Sequence, residues 1–171
     1  MSENKELNQI KKLEKDLTDF FKGSKFFSYP YDNFKEILNL ILPLQLEFES
    51  MLEHMIYEKL MAYFGKRKVS LNNALWFYET LEIILEKVTF FNKIRIAKEM
   101  GLISSKLFNS LVKVNIHRNK LAHSKTTITF VNFSLHDSKG RQNLINMLND
   151  FKIAGDLINR EFNPKRPTIV G

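Results

Sequence analysis

The fold class of this chain is decided by the stretch Leu44-Gln-Leu-Glu-Phe-Glu-Ser-Met-Leu-Glu-His-Met-Ile-Tyr-Glu-Lys-Leu-Met-Ala-Tyr-Phe64. Its apolar residues recur every three or four positions, the spacing that places side chains along one face of an α-helix. Pro43 precedes the stretch and is expected to kink or restart the helix, because proline has no backbone N–H to donate. Gly65 follows it and is expected to end the helix.

The same spacing on both sides of this stretch predicts an all-α helical bundle. An amphipathic helix is expected over residues 4–22, and Asp32 is expected to cap the helix that contains the quoted stretch. Further helices are predicted over residues 71–88, 91–100, from the cap at Ser104 and Ser105 up to Arg118, and 141–161. Residues 126–135 are β-branched and partly alternating, so a short extended segment is expected there.

These elements predict one helical domain with an appendage at its N-terminus. Residues 1–31 are expected to form the N-terminal amphipathic helix and a turn, residues 32–162 the helical domain, and residues 163–171 a disordered tail. The third helix is predicted to bury one face, formed by Leu75, Trp76, Tyr78, Leu81, Ile84, Leu85 and Val88. Trp76, Phe77, Phe90 and Phe91 are also candidates for stacking on nucleic-acid bases, although their helical spacing favours the core.

The composition indicates a compact protein and excludes cysteine chemistry. Of the 171 residues 44 % are hydrophobic and 12 % aromatic, with only six Gly and four Pro. The absence of cysteine excludes disulfides, thiolate zinc sites and cysteine nucleophiles. The N-terminus opens polar, and the longest apolar run is far shorter than the ~20 residues that span a bilayer. We therefore expect a soluble cytoplasmic protein without membrane association.

The positive charge is concentrated in the second half of the chain. Residues 1–85 hold 11 Lys and Arg against 13 Asp and Glu, whereas residues 86–171 hold 15 against 6. Between Lys87 and Lys125 nine basic residues accompany one acid, Glu99. Such a segment creates a positive field that attracts a polyanion. The alternative is that these basic residues only keep the exposed faces of the helices soluble and bind no partner.

An arginine and a histidine lie five positions apart in the stretch Val114-Asn-Ile-His-Arg-Asn-Lys-Leu-Ala-His123. Arginine is permanently charged and fits phosphate oxygens, while histidine exchanges protons near neutral pH. Five residues of α-helix separate Arg118 and His123 by about 140° around the axis. Either the helix unwinds after Leu121 or another surface completes the groove, as two such helix ends would in a two-fold dimer.

Two histidines and two arginines in such a dimer would supply an acid, a base and the cations that RNA cleavage by its own 2′-hydroxyl needs. Asn119 would bind a phosphate or a ribose hydroxyl, or would cap backbone groups at the turn. Phosphate contacts are expected from Lys93, Arg95, Lys113, Lys120 and Lys125. The sequence around His54 lacks the second histidine found in the helix of zinc hydrolases, so no metal site is expected there. No other cofactor is expected.

The six residues Arg118-Asn119-Lys-Leu-Ala-His123 resemble the signature of the HEPN superfamily. The resemblance implies a small α-helical bundle that dimerises and cleaves RNA without a metal, as in toxin–antitoxin, abortive-infection and other defence systems. Arg118 and His123 would then be catalytic. An antitoxin or other partner protein would bind through the N-terminal helix. Residues upstream of this motif resemble the pattern of the mannitol-repressor branch of these proteins. They are Phe91-Asn-Lys-Ile-Arg95, Lys98 and Gly101-Leu-Ile-Ser.

The mannitol-repressor branch implies a different function, that of a non-catalytic regulator or of a module that binds protein or nucleic acid. The pair also has a purely structural interpretation. Arg118 would pair with a carboxylate such as Glu53, Glu79 or Glu82, and His123 would end the helix. A shared fold does not decide between these functions.

Overall fold

The computed structural model of the chain describes residues 3–23, 38–65, 71–122 and 137–162. These residues form six helices and no strand. The helices are α1 (Glu3–Gly23), α2 (Leu38–Gly65), α3 (Leu71–Lys87), α4 (Phe90–Glu99), α5 (Ser105–Ala122) and α6 (Ser138–Phe162). The predicted all-α bundle is therefore confirmed.

Local chemistry at the helix ends accounts for some of their bounds. The described parts of α1 and α2 extend to Gly23 and Gly65, the glycines expected to end these helices. The hydroxyl of Ser104 caps α5 by accepting a hydrogen bond from the backbone N–H of Leu107 at 3.1 Å. The described part of α2 runs through Pro43 without restarting there.

The start of α6 differs from the sequence prediction, and three other predicted features lie outside the described residues. Helix α6 begins at Ser138, three residues before the predicted start, because the Asp137 carboxylate accepts a hydrogen bond from the backbone N–H of Gly140 at 2.7 Å. The predicted cap Asp32, the predicted extended segment 126–135 and the predicted disordered tail 163–171 lie outside the described residues.

Helix α6 lies against both α1 and α5, and α2 completes the core. Phe48 of α2 and Phe151 of α6 stack at a centroid distance of 6.1 Å, and both are fully buried. Phe20 of α1 approaches the backbone of Gly155 so closely that a Cβ there would lie 3.2 Å from its ring. The bundle thus has one continuous core in which α1 takes part.

The apolar face of α1 is buried in this core. Ile10, Leu13 and Leu17 contribute its buried side chains. At the same interface the buried guanidinium of Arg141 donates to the carboxylate of Glu6 at 2.7 Å. The hydrogen bond from Arg141 lowers the pKa of Glu6, although burial opposes this effect. The helix expected to bind a partner protein therefore packs against its own chain.

Helix α3 buries less of its apolar surface than predicted. Leu81 and Leu85 are buried, whereas Trp76 and Ile84 are 67 % and 52 % exposed. The prediction that Trp76 and Ile84 are buried is therefore wrong. A second isoleucine, Ile83, is also exposed, so α3 is apolar around most of its circumference and its sequence does not select a single buried face.

None of the described helices combines the length and apolar character that crossing a membrane requires.

Candidate functional site

Arg118 lines an open cleft of about 390 Å³ where α5 meets α2 and the beginning of α4. The arginine is half-buried. The cleft is lined by Gln45 and Glu49 of α2, by Thr89, Phe90 and Phe91 at the start of α4, and by Asn115, Arg118 and Asn119 of α5. The side chain singled out by the sequence therefore lies beside a space that can admit a ligand.

The guanidinium of Arg118 is held by two neutral amide oxygens. Its Nε donates to the Oε1 atom of Gln45 at 3.2 Å, and one terminal nitrogen donates to the Oδ1 atom of Asn119 at 3.1 Å. Among the described residues no carboxylate forms an ion pair with Arg118. The predicted structural alternative, pairing with Glu53, Glu79 or Glu82, is therefore not the arrangement that the described residues adopt.

The amide group of Gln45 is oriented by its neighbours. Its Nε2 donates to one carboxylate oxygen of Glu49 at 3.0 Å, which turns the amide oxygen towards Arg118. The other carboxylate oxygen of Glu49 accepts from Lys93, and Lys93 also donates to Glu53. A continuous series of side-chain hydrogen bonds thus joins Arg118 to Glu53.

Lys93 was predicted to contact phosphate, but its side chain lies inside the bundle. The residue is 2 % exposed and forms ion pairs with both Glu49 and Glu53. Burial by itself lowers the pKa of Lys93, but the hydrogen bonds and charges of the two carboxylates outweigh it and raise this pKa above its ordinary value. Lys93 therefore has a structural role between α2 and α4 and is not placed to contact a phosphate.

Of the other described residues predicted to bind RNA, only Asn119 is found in the cleft lining. Asn119 lines the cleft and orients Arg118, while Arg95 and Lys120 are exposed. Lys120 follows Arg118 by two residues, which places it about 200° around the axis of α5 and away from the cleft. His123 and Lys125 lie outside the described residues, so the structure positions the arginine of the predicted pair and not its histidine.

The neighbouring histidine, His117, faces a different helix. Its Nε2 lies 2.9 Å from a carboxylate oxygen of Asp150 on α6, and Lys113 lies 3.4 Å from the other oxygen of the same carboxylate. At the opposite end of this pair of helices, Glu161 accepts hydrogen bonds from the backbone N–H and the hydroxyl of Ser104 at 2.8 and 2.6 Å. His117 thus joins α5 to α6 and does not line the Arg118 cleft.

Sequence reasoning missed Gln45, Glu49 and Asn115 as part of this site. A signal was present for Asn115, because a residue three positions before Arg118 shares its helix face. Gln45 stands between two leucines, and a polar residue inside an apolar run calls for a buried hydrogen-bond partner. Nothing local in the sequence indicates that α2 and α5 meet at these positions.

A second cleft of about 360 Å³ lies between α2 and α3 and is lined mainly by Glu53, His54, Tyr57, Glu82 and Glu86. Among the described residues no group of three or more His, Asp or Glu side chains is arranged to hold a metal ion.

Comparison with protein-family models, with curated proteins and with solved structures finds no match for this chain.

Proposed function

We propose that this chain is a metal-independent endoribonuclease of the HEPN type that acts as a homodimer, with Arg118 and His123 as its catalytic residues. The observation that carries the proposal is that Arg118 lines an open cleft and is held by the amide oxygens of Gln45 and Asn119. Neutral partners fix the side chain without cancelling its charge, so the guanidinium still attracts a phosphate.

The proposed reaction uses the 2′-hydroxyl of the RNA as the nucleophile. The 2′-oxygen attacks the neighbouring phosphorus, and the bond from phosphorus to the 5′-oxygen breaks. One His123 accepts the proton of the 2′-hydroxyl, and the second copy's His123 donates a proton to the leaving 5′-oxygen. The two Arg118 side chains stabilise the charge that develops on the phosphorane oxygens. The products are a 2′,3′-cyclic phosphate and a free 5′-hydroxyl.

Further residues would guide the substrate to this centre. Asn119 orients Arg118 within the described structure and offers its amide nitrogen to a phosphate or a ribose hydroxyl. Arg95, Lys120 and Lys125 are the proposed electrostatic contacts to phosphates outside the scissile position. A toxin or phage-defence effector is the biological role that fits such an activity, with an antitoxin as its partner.

The decisive experiment measures cleavage of a single-stranded RNA by the purified chain in the presence of EDTA. We expect His123→Ala and Arg118→Ala each to lower the cleavage rate by about a hundredfold or more. The matched controls are His136→Ala and Arg160→Ala, which remove the same residue types elsewhere and should cleave normally. DNA of the same sequence should stay intact because it lacks the nucleophile. If the wild-type protein leaves the RNA intact, the proposed nuclease activity is wrong.

A second candidate is a non-catalytic regulator that binds a partner protein, and the exposed side of α3 favours it. Trp76, Ile83 and Ile84 are each more than half exposed, and apolar surface of this kind is typical of protein interfaces. The support for this candidate thus lies on α3 and not on α1, whose Ile10, Leu13 and Leu17 are already buried. If wild-type protein leaves RNA intact while Ile83→Asp abolishes binding to a co-purifying protein, this second function is correct.

A further inference from the structure

We propose that the Arg118 cleft takes one unpaired nucleotide of a single-stranded RNA, with its phosphate on Arg118 and its base stacked on Phe91. The inference rests on the proposed function for its choice of RNA, and it adds the class of RNA and the residue that receives the base.

The cleft presents a cation and an aromatic ring to the same space. Phe91 lines it together with Arg118, and 39 % of Phe91 is exposed. Its neighbour Phe90 lines the cleft too but is only 6 % exposed and packs in the core. Of the two consecutive phenylalanines at the start of α4, Phe90 therefore packs in the core and Phe91 faces the cleft. A ring exposed beside a guanidinium matches the two parts of a nucleotide, a flat base and an anionic phosphate.

The polar groups of the cleft limit the anion to a single phosphate. Arg118 is its only described cation, and Glu49 places a carboxylate in the same wall. Lys93 is shared between the carboxylates of Glu49 and Glu53, so these three groups together keep a formal net charge of −1 beside the cleft. A group with several adjacent phosphates would meet this repulsion, whereas one phosphodiester on Arg118 does not need to approach Glu49.

The amides of α5 suit the remaining polar edges of a nucleotide. Asn115 and Asn119 line the cleft one turn apart on the helix. The oxygen of Asn119 is used by Arg118, so its amide nitrogen is the group that it presents to a ligand. Amide groups of this kind bind base edges and ribose hydroxyls.

Stacking on Phe91 requires a base that is not already stacked. In an A-form duplex both faces of each base are covered and the deep major groove excludes side chains, whereas the bases of loops and single strands are accessible. A cleft of about 390 Å³ has room for one nucleotide. The geometry therefore favours single-stranded over double-stranded RNA.

The test measures binding separately from cleavage. The probe is a short fluorescein-labelled single-stranded RNA, 2′-O-methylated throughout so that it cannot be cleaved, and its affinity is measured by fluorescence anisotropy. The same strand annealed to its complement is the duplex probe. We expect the single strand to bind about tenfold more tightly than the duplex, and Phe91→Leu to weaken single-strand binding by about tenfold. Phe91→Tyr keeps the ring and should bind like the wild type.

The matched control is Trp76→Leu, which removes an exposed aromatic ring outside the cleft and should leave binding unchanged. Thermal denaturation followed by circular dichroism verifies that each variant folds. The proposal is overturned if Phe91→Leu binds the single strand as well as the wild type, if the duplex binds equally well, or if neither probe binds. Phe91-dependent binding without any cleavage of unmodified RNA would contradict the nuclease alone. Cleavage that is indifferent to Phe91→Leu would contradict the base-stacking site alone.

Discussion

Gln45 accepts a hydrogen bond from the Nε of Arg118 at 3.2 Å while its own amide nitrogen donates to Glu49 at 3.0 Å. The two bonds fix the amide in one orientation, and that orientation fixes the guanidinium at the cleft. Gln45 lines the cleft but is only 3 % exposed, so little of its surface is available to a substrate. We therefore regard Gln45 as a positioning residue for Arg118.

Replacing Gln45 by Leu should lower the rate of RNA cleavage and also destabilise the bundle. Arg118 loses the acceptor that orients its Nε, and misplacement of a catalytic group by a fraction of an ångström lowers the rate. We expect kcat to fall by about tenfold while the free energy of unfolding changes by about 1–3 kcal/mol, the cost of a broken buried hydrogen bond. Single-turnover cleavage and urea denaturation measure the two effects. Gln142→Leu, in which an exposed glutamine is changed, is the control. A loss of stability with unchanged kcat would contradict the positioning role.

Replacing Lys93 by Met should destabilise the bundle strongly. The substitution leaves Glu49 and Glu53 as neighbouring anions without their shared cation, and breaking a buried ion pair in this way costs about 3–5 kcal/mol. Urea denaturation at neutral pH measures the loss. Lys106→Met, at an exposed position, should have almost no effect. Adding Glu49→Gln and Glu53→Gln should restore part of the stability, and a triple variant no more stable than Lys93→Met would contradict the electrostatic explanation.

The stability of the chain should decrease as the pH rises from about 4.5 to about 7. Burial raises the pKa of Glu47 from 4.5 to about 7, so the unfolded chain releases this proton first as the pH rises. Over that interval the folded state holds more protons than the unfolded state, and the free energy of unfolding falls by up to about 3 kcal/mol. Above pH 7 this contribution is constant.

Glu47→Gln should remove that dependence. The variant should match the wild type near pH 4.5 and be more stable at pH 8, as measured by urea denaturation across the pH range. Glu79→Gln changes an exposed glutamate and should follow the wild-type curve. Parallel curves for Glu47→Gln and the wild type would show that the Glu47 carboxyl is not the titrating group.

Helix α1 should contribute to the stability of the whole bundle. Leu17 is 1 % exposed in the shared core, so Leu17→Ala should lower the free energy of unfolding by about 2–5 kcal/mol. Leu42→Ala, at a leucine that is 52 % exposed, is the matched control and should cost far less. Deletion of residues 1–23 should lower the melting temperature for the same reason. A deletion variant as stable as the full chain would show that α1 is a separate appendage.

The helices could be predicted from the sequence because their signals are local. Apolar spacing and capping residues such as Ser104 act within one or two turns, and the structure confirms both signals. The start of α6 was missed because Asp137 caps it ahead of the apolar stripe. Arg118 could be selected as a candidate site residue because its chemistry is evident from its own side chain and its place near a helix end.

What the sequence did not show depends on contacts between distant parts of the chain. The sequence around Lys93 does not show that this lysine is buried. Its partners Glu49 and Glu53 lie 44 and 40 residues earlier in the chain, and only the packing of α2 against α4 brings them to it. Trp76 and Ile84 belong to a helix that is apolar on several sides, so only the placement of its neighbours determines which side is covered. Glu47 carried a usable signal, because it lies three residues after Leu44 and four before Met51 on the buried face of α2.

Two contacts at opposite ends join α5 to α6, Ser104 with Glu161 and His117 with Asp150. Contacts near both ends of α5 oppose its rotation about the long axis. The direction in which Arg118 leaves α5 is therefore set by α6, a helix that does not line the cleft at all. Displacement of α2 or α4, which form the other walls of the cleft, would change the entrance beside Arg118 without breaking either of these contacts.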